Sequence, residues 1–346
     1  MTATPPTPTR GSTVKLAMTS SVAAGVEWYD FFVYGTAAAL VFPHIFFSPD
    51  LSPLVAQLAA FSTFAVGFIA RPLGGVVFGH FGDLHGRKAT LVAALMIMGV
   101  STLLVGLLPT YASVGLWAPL MLIVLRFAQG FAVGGQWGAA ALIAIENAPE
   151  GRRGLFGSFV QIGVPAGVIL ANVAFMVSDG FMDEAAFEAW GWRIPFLLSV
   201  VVVGLALFVH ARIPESREFV ASAAKRAEGP SQAPRGSPIL QVIASSWRRI
   251  LLAGGAFIAS NACFYVIITW VISYGTTELG LSRELMLGGV MFGSLCMIPA
   301  LILVAAASDR IGRYGLFRLG CLATGLWSFA FFPLLETGSP AGVGAA

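Results

Sequence analysis

Charge is what this chain has least of. Asp, Glu, Lys and Arg make up 11% of its 346 residues and hydrophobic residues 57%, whereas soluble domains carry about 25% charged residues. A fold solvated by water could not cover so much apolar surface, so lipid must be its solvent. A mean hydropathy of +0.83 agrees. Cysteine is nearly absent. Cys263, Cys296 and Cys321 are scattered through apolar segments, which excludes a disulfide frame or a cysteine metal centre and predicts small packing residues. Strict alternation of polar and apolar residues is missing, so the spans are not barrel strands but helices. No G-x-x-x-x-G-K-S/T occurs, so the chain holds no nucleotide-driven motor. H-E-x-x-H and G-x-S-x-G are missing too, which argues against a membrane protease or lipase, and no other catalytic constellation suggests an enzyme. His80 and His85 flank Gly82 and Asp83 without further ligands, so neither a metal nor another cofactor is expected. The bases form no continuous patch, which excludes nucleic acid.

What is present is a series of long apolar runs. A helix needs about 20 apolar residues to cross a bilayer. Nine candidates fit, at roughly 17–47, 56–80, 89–109, 117–146, 155–178, 192–212, 249–275, 285–307 and 315–336. The opening "MTATPPTPTRGSTVK" reads as a short polar tail. The run after it is too long for a signal-peptide core and lacks a cleavage site, so it reads as a retained first helix. Counted alternately, the connections sort by charge. One side collects Arg10, Lys15, Arg87, Lys88, Arg152, Arg153, Arg217, Lys225, Arg226, Arg235, Arg248, Arg310 and Arg313. The other holds Asp50, Asp179, Asp183, Glu184, Glu188, Glu278 and Glu284, with Arg283 as its base and Arg193 at the next helix start. Basic connections stay inside. A cytoplasmic N-terminus in a plasma (inner) membrane is therefore expected.

The longest polar stretch, 213–248, has the Pro, Gly and Ser content of a flexible linker. A repeat spans it: "FGDLHGRK" at 81–88 returns as "ASDRIGRY" at 307–314, with Asp83, Gly86 and Arg87 matching Asp309, Gly312 and Arg313. The expected organisation is a tail over 1–16, a six-helix half over 17–212, a linker over 213–248 and an incomplete second half of about three helices over 249–346.

Ionisable residues at membrane depth are costly and are functional candidates by default. Glu27 and Asp30 lie in "GVEWYDFFVYG", Arg71 in "GFIARPLGG" and Arg126 in "VLRFAQGFAVGGQWG". Glu27, Asp30 and Tyr34 share one helix face, which must line a cavity or meet other helices. Carboxylates held there can take up and release protons as their surroundings change. The plainer reading is that the two acids neutralise the two arginines and hold the bundle together. Arg71 precedes Pro72 and Gly74–Gly75, where a helix can bend, and a guanidinium there can hold a carboxylate bidentately. Gln129, Gln136, Gln161 and Asn172 add uncharged hydrogen-bonding groups, as substrate contacts or as interhelical glue. The expected substrate set is Tyr34, Arg71, Arg126, Gln136 and Gln161, with Glu27, Asp30 and Arg126 coupling protons.

The turn "GHFGDLHGRK" resembles the G-x-x-x-D-R/K-x-G-R-R/K signature of the major facilitator superfamily, and "SDRIGR" looks like its second-half counterpart. "RFAQGFAVGG" is similar to the superfamily's fourth-helix motif. "EWYDFFVYG", "ENAPEGRRGLFGS" and "GWRIPFLLS" look like the metabolite:H⁺ symporter family within it. The resemblance implies an all-α polytopic bundle, six N-terminal helices plus about three of a second half, working by alternating access on a proton gradient. It implies a small-molecule substrate, an organic acid such as citrate, 2-oxoglutarate or shikimate or a zwitterion such as proline or betaine, and a monomer in the lipid bilayer. It makes Gly79, Asp83, Gly86, Arg87, Lys88, Arg153, Asp309, Arg310, Gly312 and Arg313 a cytoplasmic gate and links Arg126 with coupling. Leu84 and Gln136 depart from the pattern, standing where relatives prefer a base and a Glu. The short second half leaves a second reading open, a non-transporting scaffold or sensor derived from such a symporter. In the gate, Asp83 is expected to accept from a neighbouring helix's N-terminal amides or to pair with a base such as Arg153.

Overall fold

The computed structural model describes residues 24–25, 28–85, 87–134, 151–212 and 238–346. Among them there is no strand, and nine long helices follow one another. They are α1 over 28–40, α2 (Pro53–His85), α3 (Arg87–Leu107), α4 (Trp117–Val133), α5 (Arg153–Gly180), α6 (Ile194–Arg212), α7 (Pro238–Tyr265, continued to Thr277), α8 (Arg283–Ile311) and α9 (Arg313–Glu336). Short helices over Phe42–Ile45, Tyr111–Val114, Glu184–Ala189 and Pro340–Ala345 sit at the bundle's ends. Each of the nine expected spans is met by a helix, and α2, α5, α7, α8 and α9 are long and apolar enough to cross a membrane on their described residues alone.

One boundary differs from expectation. α7 is already helical at Pro238, whereas the linker was expected to run to 248. The chain leaves helical geometry once there, at Ser246 (φ −131°, ψ 15°), before resuming. Further along, α7 opens into a π-helical turn over Val266–Trp270 and closes again over Val271–Thr277. The remainder of the expected linker, 213–237, lies outside the described residues.

The packing that positions everything else is that of α2 on α4. "IARPLGG" and "RFAQGFAVGG" place glycine where these helices cross. A Cβ on Gly74 would collide with the Phe131 carbonyl, one on Gly130 with the Gly67 carbonyl, and one on Gly134 with the Arg71 carbonyl. Lipid gives two helices no hydrophobic reason to associate, so close backbone packing supplies much of the attraction. α1 is seated similarly against α5, where Gly163 and Gly167 meet the backbone of Ala24 and Trp28. From the first turn of α1 the Tyr29 hydroxyl donates to the Pro195 carbonyl at 2.7 Å, joining "EWYDFF" to "GWRIPF" at the end of the bundle where α6 begins. Phe42, Phe46, Trp192 and Phe196 close that end as a fully buried aromatic cluster.

α7 and α9 leave most of their apolar length uncovered, Leu319, Leu322, Leu326 and Phe329 included. This corrects the reading of the cysteines as packing residues: Cys263, Cys296 and Cys321 are all exposed, one on each of α7, α8 and α9. Small apolar residues are as acceptable facing lipid as facing protein.

Gly130→Ala and Gly134→Ala should each destabilise the bundle by about 1–3 kcal/mol through overpacking, read as a lower melting temperature in detergent. Gly315→Ala on α9, where a Cβ meets nothing within 4 Å, should be neutral.

Candidate substrate and coupling site

The glycine crossing brings two cations together at mid-membrane depth. Arg126 of α4 is 1% exposed and passes through the space left by Gly67, where a Cβ would lie 2.7 Å from its Nε. Arg71 of α2 sits beside it. Neither finds an acid among the described residues; aromatic faces surround them instead. The Arg126 guanidinium carbon stands 4.2 Å from the Tyr34 ring centre, 4.5 Å from Phe64 and 4.6 Å from Phe31. That of Arg71 stands 4.7 Å from Phe31 and 4.6 Å from Phe68. Each such contact is worth about 2 kcal/mol or more when desolvated, which offsets part of the cost of two cations in a dry site. It leaves guanidinium donors free: Nε and Nη2 of both arginines are buried without a hydrogen-bond acceptor among the described residues.

The acid that the plainer reading would pair with them is present, but without a partner among the described residues. Asp30 is 1% exposed, and neither carboxylate oxygen has a hydrogen-bond partner among the described residues. Thr102 lies beside it, yet that hydroxyl gives its one proton to the Met98 carbonyl at 3.0 Å and accepts from Gln129 Nε2 at 2.8 Å. Gln129 Oε1 in turn accepts from Arg126 Nη1 at 3.1 Å. Asp30, Phe31, Met98, Arg126, Gln129, Gly130 and Val133 line one small cavity. An unpaired buried carboxylate and an unsatisfied guanidinium thus face a common space without closing an ion pair. The plainer reading, in which the acids simply neutralise the arginines, does not describe Asp30.

Tyr34 joins the same site: its hydroxyl donates to Thr63 Oγ1 at 2.8 Å while its ring faces Arg126. Asn172 is glue, its Oδ1 accepting from Thr36 Oγ1 at 3.0 Å. Gln161 is half-buried at the end of the Arg153–Gln161 turns of α5 and does not line the cavity. Glu27, Gln136 and Gly86 lie outside the described residues. Four participants escaped the sequence reading. Phe64 and Phe68 precede Arg71 by seven and three residues, a helical spacing that could have announced an aromatic sleeve. Thr102, and Tyr265, whose ring joins the sleeve 5.0 Å from that of Phe68, left no such signal.

The gate residues occupy one end of the bundle. Gly79 is exposed near the end of α2, Asp83 lies in the last turn of that helix and Arg87 and Lys88 begin α3; nothing is described of the last three side chains. The repeat's second copy makes the contact expected of the first. The two carboxylate oxygens of Asp309 accept from the backbone N–H of Gly154 at 2.8 Å and of Leu155 at 3.0 Å, in the first turn of α5. Arg153, Arg310 and Arg313 are exposed around it. Gly154 must lack a side chain, since a Cβ would lie 2.8 Å from Asp309 Oδ1 and 2.9 Å from the Ala305 carbonyl. Gly312 turns the chain from α8 into α9 at φ +97°, which favours glycine. At the other end of α8, Arg283 reaches Asp179 at 3.6 Å, Glu184 at 3.4 Å and Glu188 at 3.9 Å. Arg193, the second base on that side, donates to the carbonyls of Ala189 at 2.8 Å and Leu108 at 3.2 Å.

Residues 22–346 match the profile of the Major Facilitator Superfamily. The chain belongs to that superfamily. It is 41% identical to the inner membrane metabolite transport protein YhjE of Escherichia coli over 94% of its own length and 74% of the relative's. It is 41% identical to the shikimate transporter of the same organism, over 94% and 73%. The proline/betaine transporter of Escherichia coli is 33% identical over 94% and 66%. In fold it resembles the partially occluded, inward-open xylose transporter XylE of Escherichia coli, with a TM-score of 0.71 at 20% identity, covering 96% of this chain and 79% of that one. The protein is accordingly a polytopic membrane transporter and not an enzyme.

Asp309→Asn and Gly154→Ala should each loosen the α5–α8 contact. Spin labels on exposed residues 152 and 310 would report it as a longer, broader distance distribution. Losing a charge-assisted pair of bonds at a half-buried site should raise the open population roughly fivefold.

Proposed function

We propose that the chain is a proton-coupled symporter carrying a small organic acid or zwitterionic metabolite across the plasma membrane by alternating access, its N-terminus in the cytoplasm. The observation that carries this reading is Asp30 and Arg126, each buried, each without an ionic partner among the described residues, facing one cavity. A charge kept unpaired at that depth costs several kcal/mol, which makes sense only if something transient satisfies it. For Asp30 that is a proton, and for the free donors of Arg71 and Arg126 a carboxylate. The relatives named for shikimate and for proline and betaine handle molecules that each bear one carboxylate.

The proposed cycle follows from competition for Arg126. With Asp30 protonated, the substrate's carboxylate takes the guanidinium, Arg71 adds a second clamp and Tyr34 borders the site. When Asp30 releases its proton toward the cytoplasm, its carboxylate competes for Arg126 and the substrate leaves. Glu27, three residues before Asp30 in the sequence, is proposed as a second proton carrier, and Gln136 and Gln161 as lateral substrate contacts. In this scheme the halves 17–212 and 249–346 rock about the site as a monomer. The contact at Asp309 and its counterpart at Asp83, with Gly79, Gly86, Arg87, Lys88, Arg153, Arg310, Gly312 and Arg313 around them, is the cytoplasmic gate.

Uptake of labelled organic acids and betaines into proteoliposomes tests this. An inward proton gradient should drive accumulation by the intact chain. Asp30→Asn should abolish the dependence on the gradient while sparing exchange, and Arg126→Gln or Arg71→Gln should lower uptake roughly ten- to hundredfold. Gradient-driven uptake that survives in both Asp30→Asn and Glu27→Gln would sink the coupling assignment.

A further inference from the structure

The donors left unused in the arginine pair follow a pattern. On both Arg71 and Arg126 the free groups are Nε and Nη2, whose N–H bonds point in parallel from one edge of the guanidinium plane. That edge is the fork that takes a carboxylate side-on, one oxygen to each nitrogen. On Arg126 the remaining nitrogen is already engaged, because Nη1 donates to Gln129 Oε1 at 3.1 Å. The Gln129 amide is itself fixed, donating to Thr102 Oγ1 at 2.8 Å, so the fork of Arg126 has a settled direction.

The two forks are neighbours. Gly67 and Arg71 lie four residues apart on one face of α2, where side-chain roots are about 5–6 Å from each other. Arg126 fills the Gly67 position, its Nε 2.7 Å from where a Cβ would be. The guanidinium carbons of Arg71 and Arg126 also both stand against the Phe31 ring, 4.7 Å and 4.6 Å from its centre. Two side-on forks rooted one helical turn apart match the two carboxylates of a four- or five-carbon diacid.

Charge points the same way. With Asp30 protonated, as in the proposed substrate-bound state, the described residues of the sleeve hold two cations and no anion. One carboxylate would leave a guanidinium uncompensated, which is costly in a dry site. A zwitterion brings a cation of its own and finds no ring kept for it, since Phe31, Tyr34, Phe64 and Phe68 each already face a guanidinium.

We propose that the substrate class of this site is a short dicarboxylate, with one carboxylate seated side-on on Arg126 and the other on Arg71. This rests on the reading of the two arginines as the substrate clamp and narrows it to dianions.

The full chain in lipid nanodiscs, at a neutral pH that ionises both carboxyls of a diacid, is titrated calorimetrically with succinate, glutarate, their monomethyl esters and glycine betaine. A monoester keeps the skeleton and removes one charge. At least one diacid should bind ten- to hundredfold more tightly than its own ester, the worth of hydrogen bonds to a charged group, and betaine should bind more weakly than that diacid. Arg71→Gln should bring the diacid down to the level of its ester and leave the ester nearly unchanged. Asp30→Asn, which keeps that side chain neutral, should preserve the preference. Equal affinity for diacid and ester, no binding of either diacid, or tighter binding of betaine would overturn the proposal. If diacid and ester bind equally and both weaken in Arg126→Gln, the dianion is excluded while the carboxylate clamp stands. A diacid preference that survives both Arg71→Gln and Arg126→Gln would bring down the clamp reading and the proposal together.

Discussion

The bundle depends on four missing side chains. Gly67, Gly74, Gly130 and Gly134 let α2 and α4 touch backbone to backbone, and only at that separation do Arg71 and Arg126 share one aromatic sleeve. Lipid cannot drive these helices together by the hydrophobic effect, so the attraction comes from close packing over a long seam. The same geometry gives Arg126 its place, because its side chain runs through the volume that any residue but glycine at position 67 would fill. Packing and chemistry are here one constraint.

The sleeve answers a harder problem than packing. Two cations at membrane depth would ordinarily demand two anions, yet a fully paired site would have nothing to offer a visitor. Phe31, Phe64, Phe68 and the ring of Tyr34 supply stabilisation through their faces and consume no N–H donors in doing so. The guanidiniums are held in position while part of their hydrogen-bonding capacity stays unspent. Gln129 and Thr102 fix one edge of Arg126 in a relay that ends on the Met98 carbonyl, so the free edge points in one direction only.

Much of this was legible in the sequence, and the reasons differ by residue. The spans declared themselves because twenty apolar residues have no other use. Arg71, Arg126 and Asp30 stood out because charge is so rare in this chain. Their mutual arrangement did not, since nothing in one dimension says whether a buried acid touches a buried base, and the expected pairing of Asp30 is absent among the described residues. The Phe64–Phe68–Arg71 spacing was readable but is ordinary in a chain where phenylalanine is common. Tyr265 was not readable at all, because its contact crosses almost two hundred residues and depends on a local π-turn that no sequence pattern specified. The Asp309 contact was foreseen for its repeat partner, Asp83. Its acceptor geometry is sequence-silent on the other side, because the partner is main chain and only Gly154, by lacking a side chain, betrays it.

α8 carries an arginine at its first residue and an aspartate in its last turn, each opposed to the sign its own helix dipole prefers. Both charges serve the neighbour, Arg283 on the acids at and just beyond the end of α5 and Asp309 on the amides that begin it. With 29 residues, α8 is a rod about 44 Å long, fastened near both tips to the same support. A rod so fastened is a lever with two alternative fulcrums. Letting go at one tip does not free it but makes the other tip the axis, so the fastenings themselves fix the arc through which the rod can swing.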